Sequence, residues 1–247
     1  MNREASLLAL EGLIPFEEAW TLQRALVAAR QAGQIPDTLI LLEHEPVVTI
    51  GRSGDRGHLL ASRDTLAERG IPVYDIERGG SVTYHGPGQL VAYPILDLRA
   101  LDEDVVRFMR ALEESIIRTV ATFGVRAERL RGYPGVWTGG AKIAAVGVAV
   151  KRRVTMHGMA LNVSTDLTPF SWINPCGLGR PVTSLAQELG RTVSLAEVAS
   201  DYVRRFSEIY GVTLTPATRD EMERRLAPSP AEAAAAASTA ASSAPSG

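Results

Sequence analysis

The sequence predicts an α/β or α+β fold built around a mixed β-sheet. Strand-length apolar runs are interspersed with amphipathic helical patterns, and two of those runs flank a three-residue basic connection, as in a β-hairpin. Hydrophobic residues make up 45% of the 247 residues, which is enough for a sizeable core. We therefore expect a single folded domain over residues 1–226.

The first half of the chain alternates helical and strand patterns. Amphipathic periodicity predicts a helix over 16–31, and a shorter helix over 62–70 begins at a capping serine and ends at a glycine. Apolar runs predict strands over 38–44, 47–51, 71–77 and 89–98. The last two strands enclose the segment RGGSVTYHGPGQ, residues 78–89, which holds four glycines and a central histidine.

The second half carries the strongest helical pattern, over 102–123. Asp102 is its predicted N-cap, and a glycine follows its end. Two apolar runs, 141–150 and 154–163, predict the β-hairpin, with the tripeptide KRR as its connection. A further helix over 194–211 begins with a capping box.

The predicted hairpin brings small side chains together. A turn centred on Arg152 pairs Ala145 with Met159 and Gly147 with His157. Small residues then face one another on the two strands, at positions 144, 145, 147, 158 and 160. Such a surface leaves a groove or tunnel that a slim apolar ligand could fill.

Composition and charge exclude several classes of protein. The formal net charge of −2 does not indicate nucleic-acid binding, and no apolar run reaches the ~18 residues of a transmembrane helix. The N-terminus lacks the pattern of a signal peptide. A single cysteine, Cys176, excludes an intramolecular disulfide and a multi-thiolate zinc site, and the histidines lack metal-binding spacing. We expect no metal, nucleic-acid or membrane partner, and a cytoplasmic location.

Residues 227–247 form a low-complexity segment rich in alanine, serine and proline. The segment is nearly uncharged and contains no large apolar residue, so it cannot bury enough surface to offset the entropy of ordering. We therefore predict a disordered tail.

The glycine-rich segment 78–89 is neither a P-loop nor a dinucleotide-binding motif. It lacks the pattern G-x-x-x-x-G-K-[ST], and a strand rather than a helix follows it. Its glycines let the backbone approach a ligand closely, although a simple glycine-rich turn between two strands is an equal alternative. His85 favours a binding site, because a polar ring among glycines has few local partners.

Cys176 and Lys142 are the leading candidates for chemistry. Cys176 lies in INPCGLG, where proline and glycine predict a loop; a loop thiol suits a nucleophile, and a small buried hydrophobe is the alternative. Only two of the 26 basic residues are lysines, and a lysine can exchange a proton that an arginine retains. A solvent-exposed lysine at a strand end is the alternative for Lys142. His157 is either a further site residue or a core histidine.

Four blocks, RGGSVTYHGPGQL, GAKIAAVGV, HGMALNV and INPCGL, resemble the lipoyl(octanoyl) transferase family of lipoate biosynthesis. They keep the family's order and include the only cysteine. The resemblance implies the biotin/lipoate ligase-like fold, a mixed, largely antiparallel β-sheet flanked by helices. It makes Cys176 the nucleophile and Lys142 the residue that lowers its pKa. The implied substrate-binding residues are Arg78, Gly79, Gly80, Ser81, Val82, Thr83, Tyr84 and His85, then Ala145, Val146 and Gly147, then Gly158, Met159 and Ala160.

The resemblance also implies a reaction. An octanoyl group would pass from octanoyl-acyl carrier protein to Cys176, and then to a lysine of a lipoyl domain. The expected acceptors are the lipoyl domains of 2-oxoacid dehydrogenase E2 subunits and the glycine cleavage H protein. No cofactor is expected, since a thioester-to-amide transfer needs no ATP. An ATP-dependent lipoate or biotin ligase of the same fold is the alternative enzyme, and an acyl-carrier or lipoyl-domain binding protein is the non-enzymatic one.

Overall fold

A large mixed β-sheet forms the centre of the protein in a computed structural model that describes residues 3–54, 56–175 and 179–227. The strands of the described chain are β1 (Arg3–Ile14), β2 (Asp37–His44), β3 (Val47–Ile50), β4 (Val73–Asp75), β5 (Val82–His85), β6 (Gln89–Ile95), β7 (Glu128–Leu130), β8 (Tyr133–Thr138), β9 (Ala141–Lys151), β10 (Val154–Asn162) and β11 (Val212–Pro216). The helices are α1 (Phe16–Gln31), α2 (Arg63–Glu68), α3 (Val105–Thr122), α4 (Leu185–Leu189), α5 (Leu195–Tyr210) and α6 (Arg219–Leu226).

The order of strands in the large sheet is β11-β1-β2-β6-β10-β9-β8-β7. Strand β1 pairs in parallel with β11 and β2, whereas every other neighbouring pair of this sheet is antiparallel. The prediction of a mixed, largely antiparallel sheet is therefore confirmed.

Helices cover both faces of this sheet because the side chains of its strands alternate between them. On β2, Leu39 and Leu41 belong to the apolar cluster that contains the buried faces of α3 and α5. Ile40 and Leu42 belong to the opposite cluster, which contains residues of α1 and Met222 of α6. Two apolar layers therefore hold the sheet in place.

A small second sheet, in the order β4-β3-β5, carries the glycine-rich segment. Strand β3 pairs antiparallel with β5 and in parallel with β4. Its own apolar cluster includes Val48, Leu66 of α2 and Tyr84. Gly79 joins this unit to the large sheet by donating its N–H to the carbonyl oxygen of Val148, at 2.8 Å. The glycine-rich segment thus lies against the hairpin β9–β10.

The turn of that hairpin is tighter than predicted. Arg152 and Arg153 both have positive φ, 45° and 73°, so the connection between paired Lys151 and Val154 is a two-residue turn. Gly147 therefore pairs with Gly158, not with His157, and Ala145 pairs with Ala160, not with Met159. The predicted pairing is wrong by one residue, although small residues still face one another.

Helix α3 begins at Val105, three residues after its predicted start. Leu98–Leu101 form a 3₁₀ turn, and Asp102 and Glu103 then adopt positive φ of 56° and 58°. Asp104 caps the helix instead of Asp102, by accepting hydrogen bonds from two backbone N–H groups of the first turn.

Two further predictions concern the C-terminal tail and membrane-spanning helices. The tail at 227–247 lies outside the described residues from 228 onward and stays a prediction. Within the described ranges, no helix is both long and apolar enough to cross a membrane.

Candidate active site

A cavity of about 500 Å³ lies between the hairpin β9–β10 and the glycine-rich segment. Most of its lining is apolar. The predicted site residues that line it are Arg78, Gly79, Gly80, Ser81, Val82, Thr83, His85, Lys142, Ala145, Val146, Gly147, His157, Gly158, Met159 and Ala160. The structure thus brings together segments that lie up to about 80 positions apart in the sequence, while their roles in binding and catalysis stay predictions.

Tyr84 is the predicted binding residue that does not line the cavity. It follows Thr83 and precedes His85 on β5, and successive side chains of a strand point in opposite directions. Tyr84 packs instead in the apolar cluster of the small sheet, with its ring edge-on to Phe170. We therefore expect Tyr84 to support the wall rather than contact a ligand.

Glycines allow the two walls of the cavity to approach each other. A Cβ atom on Gly147 would lie 2.9 Å from the carbonyl oxygen of Gly79. A Cβ atom on Gly158 would lie 2.1 Å from the carbonyl oxygen of Ala92 on the neighbouring strand β6. Both distances are too short for any side chain, so these positions require glycine for close backbone packing.

Arg78 places a buried guanidinium beside the cavity. Its Nη2 donates to the carbonyl oxygen and the hydroxyl of Thr49, at 2.8 and 3.0 Å, and its Nη1 donates to the carbonyl oxygen of Gly79. Burial lowers the pKa of Arg78 to about 10, so the group remains charged near neutral pH. These contacts fix the glycine-rich segment on β3.

His85 begins a chain of hydrogen bonds that crosses the site. Its Nδ1 donates to Oε1 of Gln89 at 2.8 Å, and Nε2 of Gln89 donates to Oδ1 of Asn162, also at 2.8 Å. Nδ2 of Asn162 then donates to the carbonyl oxygen of Thr183 at 3.0 Å. Burial holds the pKa of His85 well below its usual range, so the ring is neutral. The chain joins the glycine-rich segment to residues that follow Cys176.

Two further imidazoles and a phenol pack near His85. The Nδ1 of His44 donates to the carbonyl oxygen of Ile14, and its Nε2 accepts from the hydroxyl of Tyr93, at 2.8 and 2.7 Å. The ring of His157 stands edge-on to Tyr93, with centroids 6.0 Å apart. Burial lowers the pKa of His44 to about 4 and also lowers that of His157. Among the described residues, no group of three or more histidine, cysteine, aspartate or glutamate side chains is arranged to hold a metal ion.

Sequence reasoning missed four of these residues. His44, Tyr93, Gln89 and Asn162 lie on β2, β6 and β10, and only pairing of those strands brings them together. Gln89 and Asn162 lie within the motifs RGGSVTYHGPGQL and HGMALNV, next to the last residue of each, which was the available signal. Nothing in the spacing of His44 indicates its place.

Lys142 lies at the beginning of β9, and only 8% of its surface is exposed. Its Nζ donates to the carbonyl oxygen of Pro134 at 3.2 Å and lies 4.7 Å from the ring centroid of Trp137. Its backbone N–H donates to the carbonyl oxygen of Pro181, and its carbonyl oxygen accepts from the N–H of Thr183. The segment that follows Cys176 is therefore fastened to the main chain of Lys142.

Cys176 itself lies outside the described residues. Pro175, which precedes it, lines the cavity together with Lys142, and so does Val182. Described residues on both sides of Cys176 in the sequence therefore line the same cavity.

Comparison with known proteins identifies the family of this chain. Residues 15–207 match the family model described as the lipoyl protein ligase A/B catalytic domain. The chain belongs to this family. The relatives of this chain include proteins named octanoyltransferase. The one from Solibacter usitatus is 50% identical over 205 residues, which cover 83% of this chain and 93% of that protein. The octanoyltransferase of Gloeobacter violaceus is 49% identical over 211 residues, covering 85% and 92%.

Solved structures of the family share the fold. A lipoate-protein ligase A bound with ATP superposes with a TM-score of 0.71 at 22% identity, covering 92% of both chains. The protein Ta0514 from T. acidophilum, a proposed lipoate protein ligase, gives a TM-score of 0.68 at 21% identity, again over 92% of both chains. The predicted lipoate ligase-like fold and the predicted family are both confirmed.

Proposed function

We propose that this chain moves an octanoyl group from octanoyl-acyl carrier protein to a lysine of a lipoyl domain, through a thioester on Cys176. Relatives named octanoyltransferase, at about 50% identity over four-fifths of the chain, make it an acyltransferase that acts in protein lipoylation. The ATP-dependent ligase is the less supported alternative. One observation carries the site assignment: Lys142 and Pro175, the neighbour of Cys176, line one mostly apolar cavity.

The cavity suits an acyl chain in size and character. Its volume of about 500 Å³ lies within the range usual for small-molecule sites. Small residues on both strands, including Ala145, Gly147 and Ala160, leave room along the hairpin. The octanoyl chain would lie there with its carbonyl carbon toward Lys142 and Pro175.

The first half-reaction forms the acyl-enzyme. The Cys176 thiolate attacks the carbonyl carbon of the donor thioester; a new C–S bond forms, and the carrier leaves as a thiolate that takes up a proton. A free thiol has a pKa of ~8.5, so an ammonium group of Lys142 held close to Cys176 would increase the fraction of thiolate near neutral pH. Lys142 is also the group that can supply the proton to the departing thiolate.

The second half-reaction forms the amide. The uncharged amine of the acceptor lysine attacks the enzyme thioester, the C–S bond breaks, and Cys176 leaves as a thiolate beside Lys142. The amine loses one proton as the amide forms. Exchange between two thioesters has a free-energy change near zero, and conversion of a thioester to an amide is favourable. The proposed reaction therefore requires no ATP and no cofactor. Acceptors in the cytoplasm would be the E2 lipoyl domains and the glycine cleavage H protein.

Intact mass spectrometry tests the proposal. The wild-type protein, mixed with octanoyl-acyl carrier protein without ATP, is expected to gain one octanoyl group that hydroxylamine removes. Cys176→Ala is expected to gain none and to transfer none to a lipoyl domain. An adduct that persists in Cys176→Ala would refute the thioester, and transfer from free octanoate that requires ATP would support the ligase instead.

A further inference from the structure

The peptide group between Pro134 and Gly135 lies between Lys142 and a buried carboxylate. Its carbonyl oxygen, on Pro134, accepts a hydrogen bond from Nζ of Lys142 at 3.2 Å. Its N–H, on Gly135, donates to Oε1 of Glu113 at 3.0 Å. Because a peptide group is planar and rigid, these two hydrogen bonds act on opposite sides of a single unit. The peptide group thereby links the side chain of Glu113 to that of Lys142 through two hydrogen bonds.

Glu113 is a buried acidic residue that is paired with two guanidinium groups. It lies on α3, and only 2% of its surface is exposed. Its other oxygen, Oε2, lies 2.8 Å from Nη1 of Arg110 and 3.2 Å from Nε of Arg129. A buried charge is tolerated where it is paired, and these guanidinium groups provide the pairing. Oε1 is left to accept from Gly135.

Glycine at 135 is required for this arrangement. Its φ is +120°, a backbone conformation that residues with a side chain rarely adopt. A Cβ atom there would also lie 2.6 Å from the carbonyl oxygen of Ala144 and 3.6 Å from Nζ of Lys142. The glycine therefore allows the peptide group to present its oxygen to Lys142 while its N–H faces Glu113.

We propose that Glu113 is a positioning residue for Lys142, acting through the Pro134–Gly135 peptide group. The carboxylate fixes the orientation of this peptide group and so the direction in which Nζ of Lys142 points. It also polarises the peptide group, because hydrogen bonds in a chain strengthen one another at low dielectric. A more negative carbonyl oxygen strengthens the hydrogen bond that it accepts from Nζ of Lys142. This inference rests on the role proposed above for Lys142 beside Cys176.

The test is the pH dependence of iodoacetamide labelling of Cys176, measured together with kcat and KM for transfer. Glu113→Gln keeps the shape and can still accept from Gly135, but it removes the charge. We expect the labelling midpoint to rise by about half a pH unit, which is roughly a threefold loss of thiolate below the midpoint. We expect kcat to fall by a similar factor at neutral pH with KM unchanged.

Glu114→Gln is the matched control. Glu114 is the next residue on α3, forms ion pairs with Arg118 and Arg129, and is 30% exposed at its side chain. Both variants lose ion pairs of the helix, so both are expected to lose some stability. Only Glu113→Gln is expected to move the labelling profile, and an equal shift in both would overturn the proposal.

Lys142→Ala separates this inference from the proposed function. If Lys142→Ala leaves the labelling profile unchanged, the role of Lys142 fails, and the inference fails with it. If Lys142→Ala raises the midpoint but Glu113→Gln does not, the inference alone is wrong. In the Lys142→Ala background, Glu113→Gln is expected to add no further shift, because its effect passes through Lys142.

If Glu113→Gln does not fold, the same measurements are made on Glu113→Asp. The shorter side chain keeps the charge near Arg110 but withdraws it from the N–H of Gly135. A smaller upward shift of the labelling midpoint is expected, with kcat reduced and KM unchanged. An unchanged profile in a folded Glu113→Asp protein would refute the proposal.

Discussion

His44 shows how a buried, neutral side chain links stability to pH. The ring is fully enclosed, its two nitrogens are bonded to Ile14 and Tyr93, and its pKa is lowered from 6.5 to about 4. The unfolded chain binds a proton at this histidine below pH 6.5, whereas the folded protein does not until about pH 4. The stabilising contribution of His44 is therefore complete above pH 6.5 and is lost as the pH falls toward 4.

Replacement of His44 is expected to flatten the pH dependence of stability. Each proton taken up only by the unfolded state lowers the free energy of unfolding by about 1.4 kcal/mol per pH unit. His44→Gln can still donate to Ile14 and accept from Tyr93, but it does not titrate. Urea unfolding between pH 8 and 5 should show a shallower decline below pH 6.5 for His44→Gln, by about that slope.

The comparison at pH 8 is the control for this prediction, because both proteins are uncharged there at position 44. Any difference at pH 8 reports lost packing and should stay constant with pH. Curves that remain parallel down to pH 5 would contradict the proposed protonation of the unfolded state.

At the same scale, the sequence pointed to several residues that line the cavity, but not to the residues that support them. His85 stood out among glycines and Lys142 because lysine is rare in this chain, whereas Arg78 was implied by the family resemblance. Glu113 carries no such signal, since it lies among other charged residues on an amphipathic helix. Its contact with Gly135 exists only because α3 packs on β8 and β9. Residues that act through tertiary contacts cannot be read from local patterns.

Among the elements, the hairpin β9–β10 was predicted correctly in kind but not in register. Alternating small and apolar residues identify two strands, yet the pairing depends on the length of the turn. Favoured two-residue turns need positive φ at both positions, which normally calls for asparagine or glycine. Here arginines occupy both positions, so the sequence lacked the usual signal.

The strain in this turn gives a prediction about stability. Arg153 has a φ of 73°, which costs a residue with a side chain roughly 1 kcal/mol and costs glycine little. Arg153→Gly and Arg153→Ala both remove the exposed ion pair with Glu103. Urea unfolding should find Arg153→Gly more stable than Arg153→Ala by about 1 kcal/mol.

The alanine variant is the control for loss of the arginine side chain. Since both variants lose it, their difference isolates the backbone conformation. Equal stabilities would mean that the turn relaxes to negative φ in solution.

For the whole molecule, the C-terminal boundary of the folded domain is a testable property. Helix α6 ends at Leu226, and Met222 on it is fully buried against the cluster of α1. Residues 228–247 contain no large apolar side chain. Their deletion is therefore expected to leave the melting temperature and the rate of octanoyl transfer unchanged.

A longer truncation provides the contrast. Deletion from Arg219 onward also removes α6, exposing the surface that Met222 covers and breaking the ion pair between Arg219 and Glu18. Loss of the buried methionine alone is expected to cost about 2 kcal/mol. A clear loss of stability on removing only 228–247 would show that the tail contributes to the fold.

The overall architecture was predictable because the family motifs span its centre, whereas the outer strands were not. Strand β1 mixes charged and apolar residues without regular alternation, and its burial is correspondingly irregular. Its identity as a strand comes from its neighbours, β2 on one side and β11 on the other. Such strands are defined by partners distant in sequence, not by their own composition.

The position of β1 has a consequence for synthesis of the protein on the ribosome. The first strand of the described chain, β1, pairs along Arg3–Leu7 with its last strand, β11, at Val212–Pro216. At about 5–20 residues per second, the nascent chain waits roughly 10–40 s for that partner. During this interval one edge of β1 is uncovered, and an uncovered strand edge can pair with other chains. Pairing of β1 with β11 is therefore expected to complete the sheet late, after most of the described chain has been made.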